Sequence, residues 1–258
     1  MTDFGANPSF FDLVRGSGSD PLRMPLSGDE PALLPPHGTT VVALRFGDGV
    51  IMAGDRRAVE GYAIADERME KVFQADDHSV VGIAGVAAQA LELVRLFQTE
   101  LEHYEKVEGE TLSLEGKANR LGQMIRGSLP LVMQGLVVVP IYGGFDVRRG
   151  DGRLFRYDAI GGRYEEADYN ATGSGSRDAK ASLKKRWRPE MARQEAIEAA
   201  VESLLDASEA DTATGGPDPV RGIYPSVYLA TGEGVDEVPD NEIRLSFEAV
   251  LARREASS

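Results

Sequence analysis

What most constrains the fold of this chain is the order in which its two hydrophobic periods occur. Segments with strand periodicity come in runs, segments with helical periodicity come in runs, and the two do not alternate one for one. The segment Thr39-Thr40-Val41-Val42-Ala43-Leu44-Arg45-Phe46 reads as a β-branched strand, Gly47-Asp48-Gly49 as a turn and Val50-Ile51-Met52-Ala53 as a second strand. Further strands are expected over 71–75 and 79–84. Two amphipathic helices follow, one over 86–106 with Ala87, Leu91, Val94, Phe97 and Leu101 on one stripe, the other over 113–129 with Leu114, Ala118, Leu121 and Ile125. Strand runs at 136–146 and 153–158 come next. A helical block then opens at Ser176, read as its N-cap, and ends by Pro189. Another covers 190–208 with Ile197, Val201, Leu204 and Leu205 inward. A strand over 222–231 and a last helix after the cap candidate Asp240 complete the series. Strand and helix in regular alternation would build a parallel sheet. Segregated runs predict an α+β protein in layers, with mainly antiparallel sheets. No internal repeat is visible.

The first 38 residues have a different texture. They hold six of the 13 prolines, at positions 8, 21, 25, 31, 35 and 36, and their apolar residues keep no period. Such a segment buries too little surface to order itself alone, so 1–38 is expected to be a flexible extension and 39–258 the folded body. Phe4, Phe10, Phe11 and Leu13 are the extension's candidate docking residues.

Charge and residue usage narrow the function. The net charge of −14 speaks against a nucleic-acid partner or a membrane surface, since phosphate binding needs clustered Lys and Arg. The one dense basic run, Lys184-Lys185-Arg186-Trp187-Arg188, reads as a solvated helix end. The absence of cysteine removes disulfides, thiolate zinc sites and a thiol nucleophile. No apolar run reaches the roughly 18 residues that span a bilayer, and the start lacks a secretory pattern. A cytoplasmic enzyme or assembly subunit is expected. The three histidines are scattered, at 37, 78 and 103, which disfavours a Ser-His-Asp triad or a His-rich metal site. Neither GxSxG, a Walker loop nor HExxH occurs, and Gly173-Ser174-Gly175-Ser176 fails the dinucleotide spacing. Asp76-Asp77 reads as a solvated loop.

One catalytic device fits these absences. An N-terminal threonine supplies both nucleophile and base: its Oγ attacks, and its free α-amine takes the proton. The junction Gly38-Thr39-Thr40-Val41, where the texture changes, is the place for it. Gly38 lets the chain bend and leaves room around the scissile carbonyl. Read singly, Asp55-Arg56-Arg57 is a surface turn and Lys71 a solvated strand residue. Their joint placement with Thr39 gives them chemistry. A free α-amine has a pKa of about 7.7–8.0, so roughly a tenth is neutral at pH 7, and a nearby ammonium raises that fraction.

At this point the sequence resembles a known family. Thr39-Thr40-Val41-Val42-Ala43-Leu44 with Gly49-Val50-Ile51-Met52-Ala53-Gly54-Asp55-Arg56-Arg57 looks like the mature start of proteasome β-subunits. Glu70-Lys71-Val72-Phe73, Gly82-Ile83-Ala84-Gly85 before a long helix, Tyr169 to Ser176, and Asp211-Thr212-Ala213-Thr214-Gly215-Gly216 follow in family order. The resemblance runs from Thr39 to roughly residue 235. Glu100 to Lys106 and Ala213 to Asp218 point to the actinobacterial branch, and the extension resembles a propeptide.

The resemblance implies a four-layer αββα sandwich, the N-terminal-nucleophile hydrolase fold. It implies a threonine endopeptidase that cuts itself between Gly38 and Thr39. Thr39 would be nucleophile and base, and Asp55 and Lys71 the charged pair beside it. Gly85 would give a backbone N–H to the oxyanion. Ser174, Asp211 and Thr214 would support the amine, with Thr214 where the family often has Ser. Ala58, Val59, Met69, Phe73, Ile83, Ala87 and Leu91 would line the substrate site, and Ala58-Val59 departs from the family's usual small residue followed by Thr. None of the lining residues is charged, which predicts a preference for large apolar or aromatic side chains before the scissile bond. The resemblance implies no cofactor and no metal. Its partners would be protein substrates, homo-heptameric β-rings, α-subunit rings and a regulatory ATPase acting through them. The alternatives are a simpler two-ring bacterial threonine peptidase and a ring subunit that never matures.

Overall fold

The computed structural model describes residues 38–60 and 63–257. The extension expected over 1–38, apart from Gly38, lies outside them, as does His37. Among the described residues are twelve strands and six helices. One sheet is formed by β1 (Thr40–Phe46), β2 (Gly49–Gly54), β10 (Tyr169–Gly173), β11 (Ser226–Thr231) and β12 (Gly234–Glu237), in the order β10-β1-β2-β11-β12. The other is formed by β5 (Val72–Asp76), β6 (Ser79–Gly85), β7 (Val138–Asp146), β8 (Asp151–Tyr157) and β9 (Arg163–Glu166), in that order. A hairpin of β3 (Ala58–Glu60) and β4 (Ala63–Asp66) stands apart. Every pairing is antiparallel.

The strands alternate, and each face has its own partner. On β1 and β2, Val42, Leu44, Ile51 and Ala53 join a core with α4 (Ser176–Arg186), α5 (Arg193–Ala210) and α6 (Asp240–Ser257). The residues between them, Val41, Ala43, Val50 and Met52, meet Val72, Val80, Ile141 and Leu154 of the second sheet. That sheet's other face, with Val81, Ile83, Tyr142 and Phe155, is covered by α1 (Ala87–Glu108) and α2 (Leu114–Gly127). Side chains of period two on two sheets thus make three cores and four layers, αββα. At about 1.5–3 kcal/mol for each fully buried aliphatic side chain, a one-residue slip of either central strand would exchange a whole set between cores. No described helix is long and apolar enough to cross a membrane.

The expected helices and long strands are present with shifted ends, and three readings need correction. Ser176 is the first residue of α4, not its cap. Gly175 holds the cap position, and its N–H goes to the Thr40 hydroxyl. The helix expected over 113–129 stops at Gly127, and a single turn, α3 (Leu129–Val132), follows with Pro130 near its start. Asp77 is exposed in a turn, as expected, but Asp76 is half-buried and engaged: its carboxylate takes the Ser79 hydroxyl at 2.8 Å, the His78 N–H at 3.0 Å and the buried Lys117 ammonium at 2.6 Å. The basic run does end a helix. Its Trp187 packs against Tyr169 and donates to the Arg45 carbonyl at 2.9 Å.

Candidate active site

The site grows from the first turn of chain before β1. Thr40 and Asp55 are fixed to each other twice: the Thr40 N–H reaches Asp55 Oδ1 at 2.7 Å, and the Asp55 N–H reaches the Thr40 carbonyl at 3.1 Å. This ties the start of β1 to the end of its hairpin partner β2, so the residue after the buried strand cannot leave the site. The Asp55 carboxylate is wholly buried. Its Oδ1 also takes the Lys71 ammonium at 2.7 Å, and its Oδ2 takes the N–H groups of Arg57 at 3.0 Å and Gly215 at 2.8 Å. Four donors on two oxygens is the pattern that a carboxylate, which only accepts, can satisfy.

Lys71 is 1% exposed, directly before β5. Its ammonium has three protons and three acceptors: Asp55 Oδ1, the Arg57 carbonyl, and the Gly38 carbonyl at 3.4 Å. Burial pulls its pKa below the usual lysine value. The Asp55 carboxylate opposes that shift, the Arg57 charge adds to it, and Asp211 opposes it. Arg57 also braces the loop after α5, its guanidinium donating to the carbonyls of Thr212 at 3.0 Å and Thr214 at 3.4 Å.

Thr39 is 6% exposed, between this pair and a second polar group. Its Oγ1 donates to the Gly38 carbonyl at 2.8 Å, and its N–H reaches Ser174 Oγ at 3.3 Å. Ser174 donates in turn to Asp211 Oδ2 at 2.5 Å, and the same oxygen accepts the Thr214 hydroxyl at 2.6 Å. Burial would raise the Asp211 pKa. The Ser174 and Thr214 hydroxyls, the Ala213 N–H and the Lys71 charge together hold it below the usual carboxylate value. Gly38 has a steric reason to be glycine: a Cβ there would sit 1.9 Å from the Ala213 Cβ.

Gly85 ends β6, two residues beyond Ile83, whose N–H bonds the Lys71 carbonyl at 2.9 Å. Its φ of +126° and the 2.1 Å approach of a would-be Cβ to the Val137 carbonyl exclude a side chain. Ile83 is buried in the core beneath α1, and Phe73 and Leu91 pack half-buried against that core. Ala58, Val59, Met69 and Ala87 are half-buried. Met69 is fixed by its N–H to the Arg56 carbonyl at 3.0 Å.

The structure thus brings Gly38, Thr39, Asp55, Lys71, Ser174, Asp211 and Thr214 into one hydrogen-bonded network drawn from five segments. Sequence reasoning missed Thr40, Arg57 and Gly215. Gly215, and Arg57 at Asp55 and Lys71, bond through backbone groups, which leave no residue-type signal. Thr40 did leave one. It lies two residues before Val42 and so shares that core-facing side of β1, where a hydroxyl must find a partner. Chemically, the network offers a hydroxyl beside a carbonyl, an ammonium on that carbonyl, and a chain of acceptors at the Thr39 nitrogen.

Comparison with known proteins gives the family. A family model described as proteasome subunit matches residues 36–220. A proteasome subunit beta of Acidimicrobium ferrooxidans is 54% identical over 253 residues, covering 96% of this chain and 92% of the relative. One of Stackebrandtia nassauensis is 52% identical over 95% of this chain and 90% of its own length. One of Frankia casuarinae is 49% identical over 97% and 92%.

Proposed function

This chain belongs to the proteasome subunit family, with the β-subunits of actinobacteria, and from that premise we propose that it is a threonine endopeptidase activated by cutting its own Gly38–Thr39 bond. The observation that carries the reading is the convergence on one carbonyl. Thr39 Oγ1 and Lys71 Nζ both meet the Gly38 oxygen, at 2.8 and 3.4 Å.

In self-cleavage, Thr39 Oγ adds to the Gly38 carbonyl carbon. The C–N bond breaks as the Thr39 nitrogen takes a proton, leaving an ester on Oγ. Water then hydrolyses the ester, releasing the Gly38 carboxyl group and restoring the Thr39 hydroxyl beside the amine freed in the first step. Before the C–N bond breaks the Thr39 nitrogen is an amide and cannot serve as base. Afterwards one Lys71 proton, no longer engaged by Gly38, faces the nucleophile, and the ammonium lowers the amine's affinity for a second positive charge. The amine then takes the Oγ proton as Oγ attacks a substrate carbonyl, and returns it to the leaving amine. Gly85 N–H is assigned to the oxyanion. Ser174, Asp211 and Thr214 hold the amine.

The subunit would act in the cytoplasm, in homo-heptameric β-rings stacked with α-subunit rings and fed unfolded or tagged proteins by a regulatory ATPase. Residues 1–38 would be the propeptide. The intact Thr39, Asp55 and Lys71 speak against a ring subunit that never matures, and the relatives' names speak against the simpler two-ring peptidase. The test is co-expression with an α-type subunit, followed by a peptide-cleavage assay on the purified particle. Hydrolysis that disappears with Thr39→Ala is expected. Equal hydrolysis by the Thr39→Ala particle would overturn the proposal.

A further inference from the structure

Thr40 and Thr214 are wholly buried, and their hydroxyls lie 2.7 Å apart. The Gly175 N–H points at Thr40 Oγ1 from 3.0 Å and occupies it as an acceptor. Thr214 already gives its proton to Asp211 Oδ2 at 2.6 Å. With that proton committed, Thr40 must be the donor between the two hydroxyls. The order is therefore fixed: Gly175 N–H to Thr40, Thr40 to Thr214, Thr214 to Asp211. From the other side the same Asp211 oxygen takes the Ser174 proton at 2.5 Å, which turns the Ser174 lone pairs toward the Thr39 nitrogen at 3.3 Å. The chain of hydrogen bonds leaves β1 at residue 40 and returns to the residue just before it, Thr39.

We propose that Thr40 is a positioning residue for the reaction, acting through Thr214 and Asp211 to hold Ser174 as the acceptor for the Thr39 nitrogen. It touches no reacting atom. Its hydroxyl, filled as an acceptor by the Gly175 N–H, gives its proton to Thr214, whose own proton stays directed at the acceptor-only Asp211 carboxylate. Without it the Thr214 hydroxyl keeps only its bond to Asp211, so the Asp211 carboxylate is held less firmly, and with it the Ser174 acceptor at Thr39. The backbone of Thr40 does separate work, gripping Asp55. The side chain can therefore be changed while that grip remains.

The inference rests on Thr39 being nucleophile and base, and the test separates the two claims. Thr40→Val keeps the shape and removes the hydroxyl. Thr40→Ser keeps the hydroxyl. In the assembled particle, Thr40→Val is expected to lower kcat about tenfold with KM unchanged, the scale of one lost hydrogen bond, and Thr40→Ser to restore it to within about threefold. Loss of kcat in Thr40→Val should vanish in a Thr214→Val background, since a residue acting through Thr214 has nothing left to act on. A purely structural hydroxyl would lower Tm equally in both backgrounds and leave the kcat effects additive. Additive losses, or wild-type kcat in Thr40→Val, would overturn the proposal. So would failure of both Thr40→Val and Thr40→Ala to assemble, which would make Thr40 an anchor of the fold. Activity surviving in Thr39→Ala would instead overturn the reading beneath it.

Discussion

Lys71 and Arg153 are both buried cations, but what surrounds their donors differs. Arg153 is 3% exposed and meets carboxylates on every side: Glu165 through two parallel bonds of 2.7 and 2.8 Å, Asp146 at 3.1 Å and Glu115 at 3.5 Å, with the guanidinium over the Phe155 ring. The Glu165 hydrogen bonds, with Asp146 and Glu115 and against the cost of burial, push its pKa well above the ordinary arginine value. Lys71 has one carboxylate, the Arg57 carbonyl, and the Gly38 carbonyl of the bond proposed to be cut. Its pKa is pulled down. Burial of charge is therefore not the mark of the active site. The mark we propose is a cation left with less compensation than it needs, one of whose donors points at the carbonyl of the proposed cleavage bond.

Exchanging the fates of these two residues is the strongest test of the comparison. Arg153→Met should lower stability by about 3–5 kcal/mol, since it strands the buried Asp146 carboxylate and frees Glu165. At a temperature where the variant is folded, kcat should stay near wild type. Denaturant unfolding and a peptide assay on the same preparation check this. A stable Arg153→Met particle with low kcat would erase the distinction.

Lys71→Ala should do the reverse. Loss of a preorganised charge at the nucleophile should cost about 2.7–4 kcal/mol in barrier, or 10²–10³ in kcat. Asp55 keeps the N–H groups of Thr40, Arg57 and Gly215, so the fold should survive, although with reduced stability. In the wild type, kcat/KM should rise as the amine loses its proton and fall again as the Lys71 ammonium does. Burial has lowered that pKa, so the fall should begin below the range of a solvated lysine, near 10.5. A flat alkaline limb through pH 10 would place the ammonium outside the reaction.

A smaller effect is expected in specificity. The charges around Thr39 are engaged with one another, and the candidate lining residues Ala58, Val59, Met69, Phe73, Ile83, Ala87 and Leu91 carry none. Fluorogenic peptides ending in Tyr or Leu should be cut faster than those ending in Arg or Glu, by about 10–200-fold, the discrimination an apolar pocket achieves. Fastest release from Arg or Glu would assign the pocket to other residues.

What could be read from the sequence follows from range. The alternation of Val41 to Leu44, and the helical stripes of Leu114, Ala118, Leu121 and Ile125, are local, and each gave its element and inward face. The strands β3, β4, β9, β10 and β12 escaped notice because they are short and, β3 apart, mostly polar or exposed, and β9, β10 and β12 are held by a longer neighbour instead of by their own pattern. Ser176 was misread as a cap because Gly175, with no side chain, holds that position and gives its N–H to a residue 135 positions away. Thr39, Asp55, Lys71, Ser174, Asp211 and Thr214 were legible as a set of short motifs. The Arg153 cluster, drawn from residues 115, 146, 153 and 165, has no local motif to show it. Thr40 stands out from other β-branched strand residues only through its core-facing register with Val42.

Thr39 is proposed to become the first residue of the active chain by its own chemistry. Intact mass and N-terminal sequencing of wild-type and Thr39→Ala subunits, each co-expressed with an α-type partner, test it most directly. A wild-type chain beginning at Thr39 is expected, with a Thr39→Ala chain that keeps residues 1–38 and cuts no peptide. A wild-type chain beginning anywhere else, or a Thr39→Ala chain processed at the same bond and the same rate, would contradict the proposal.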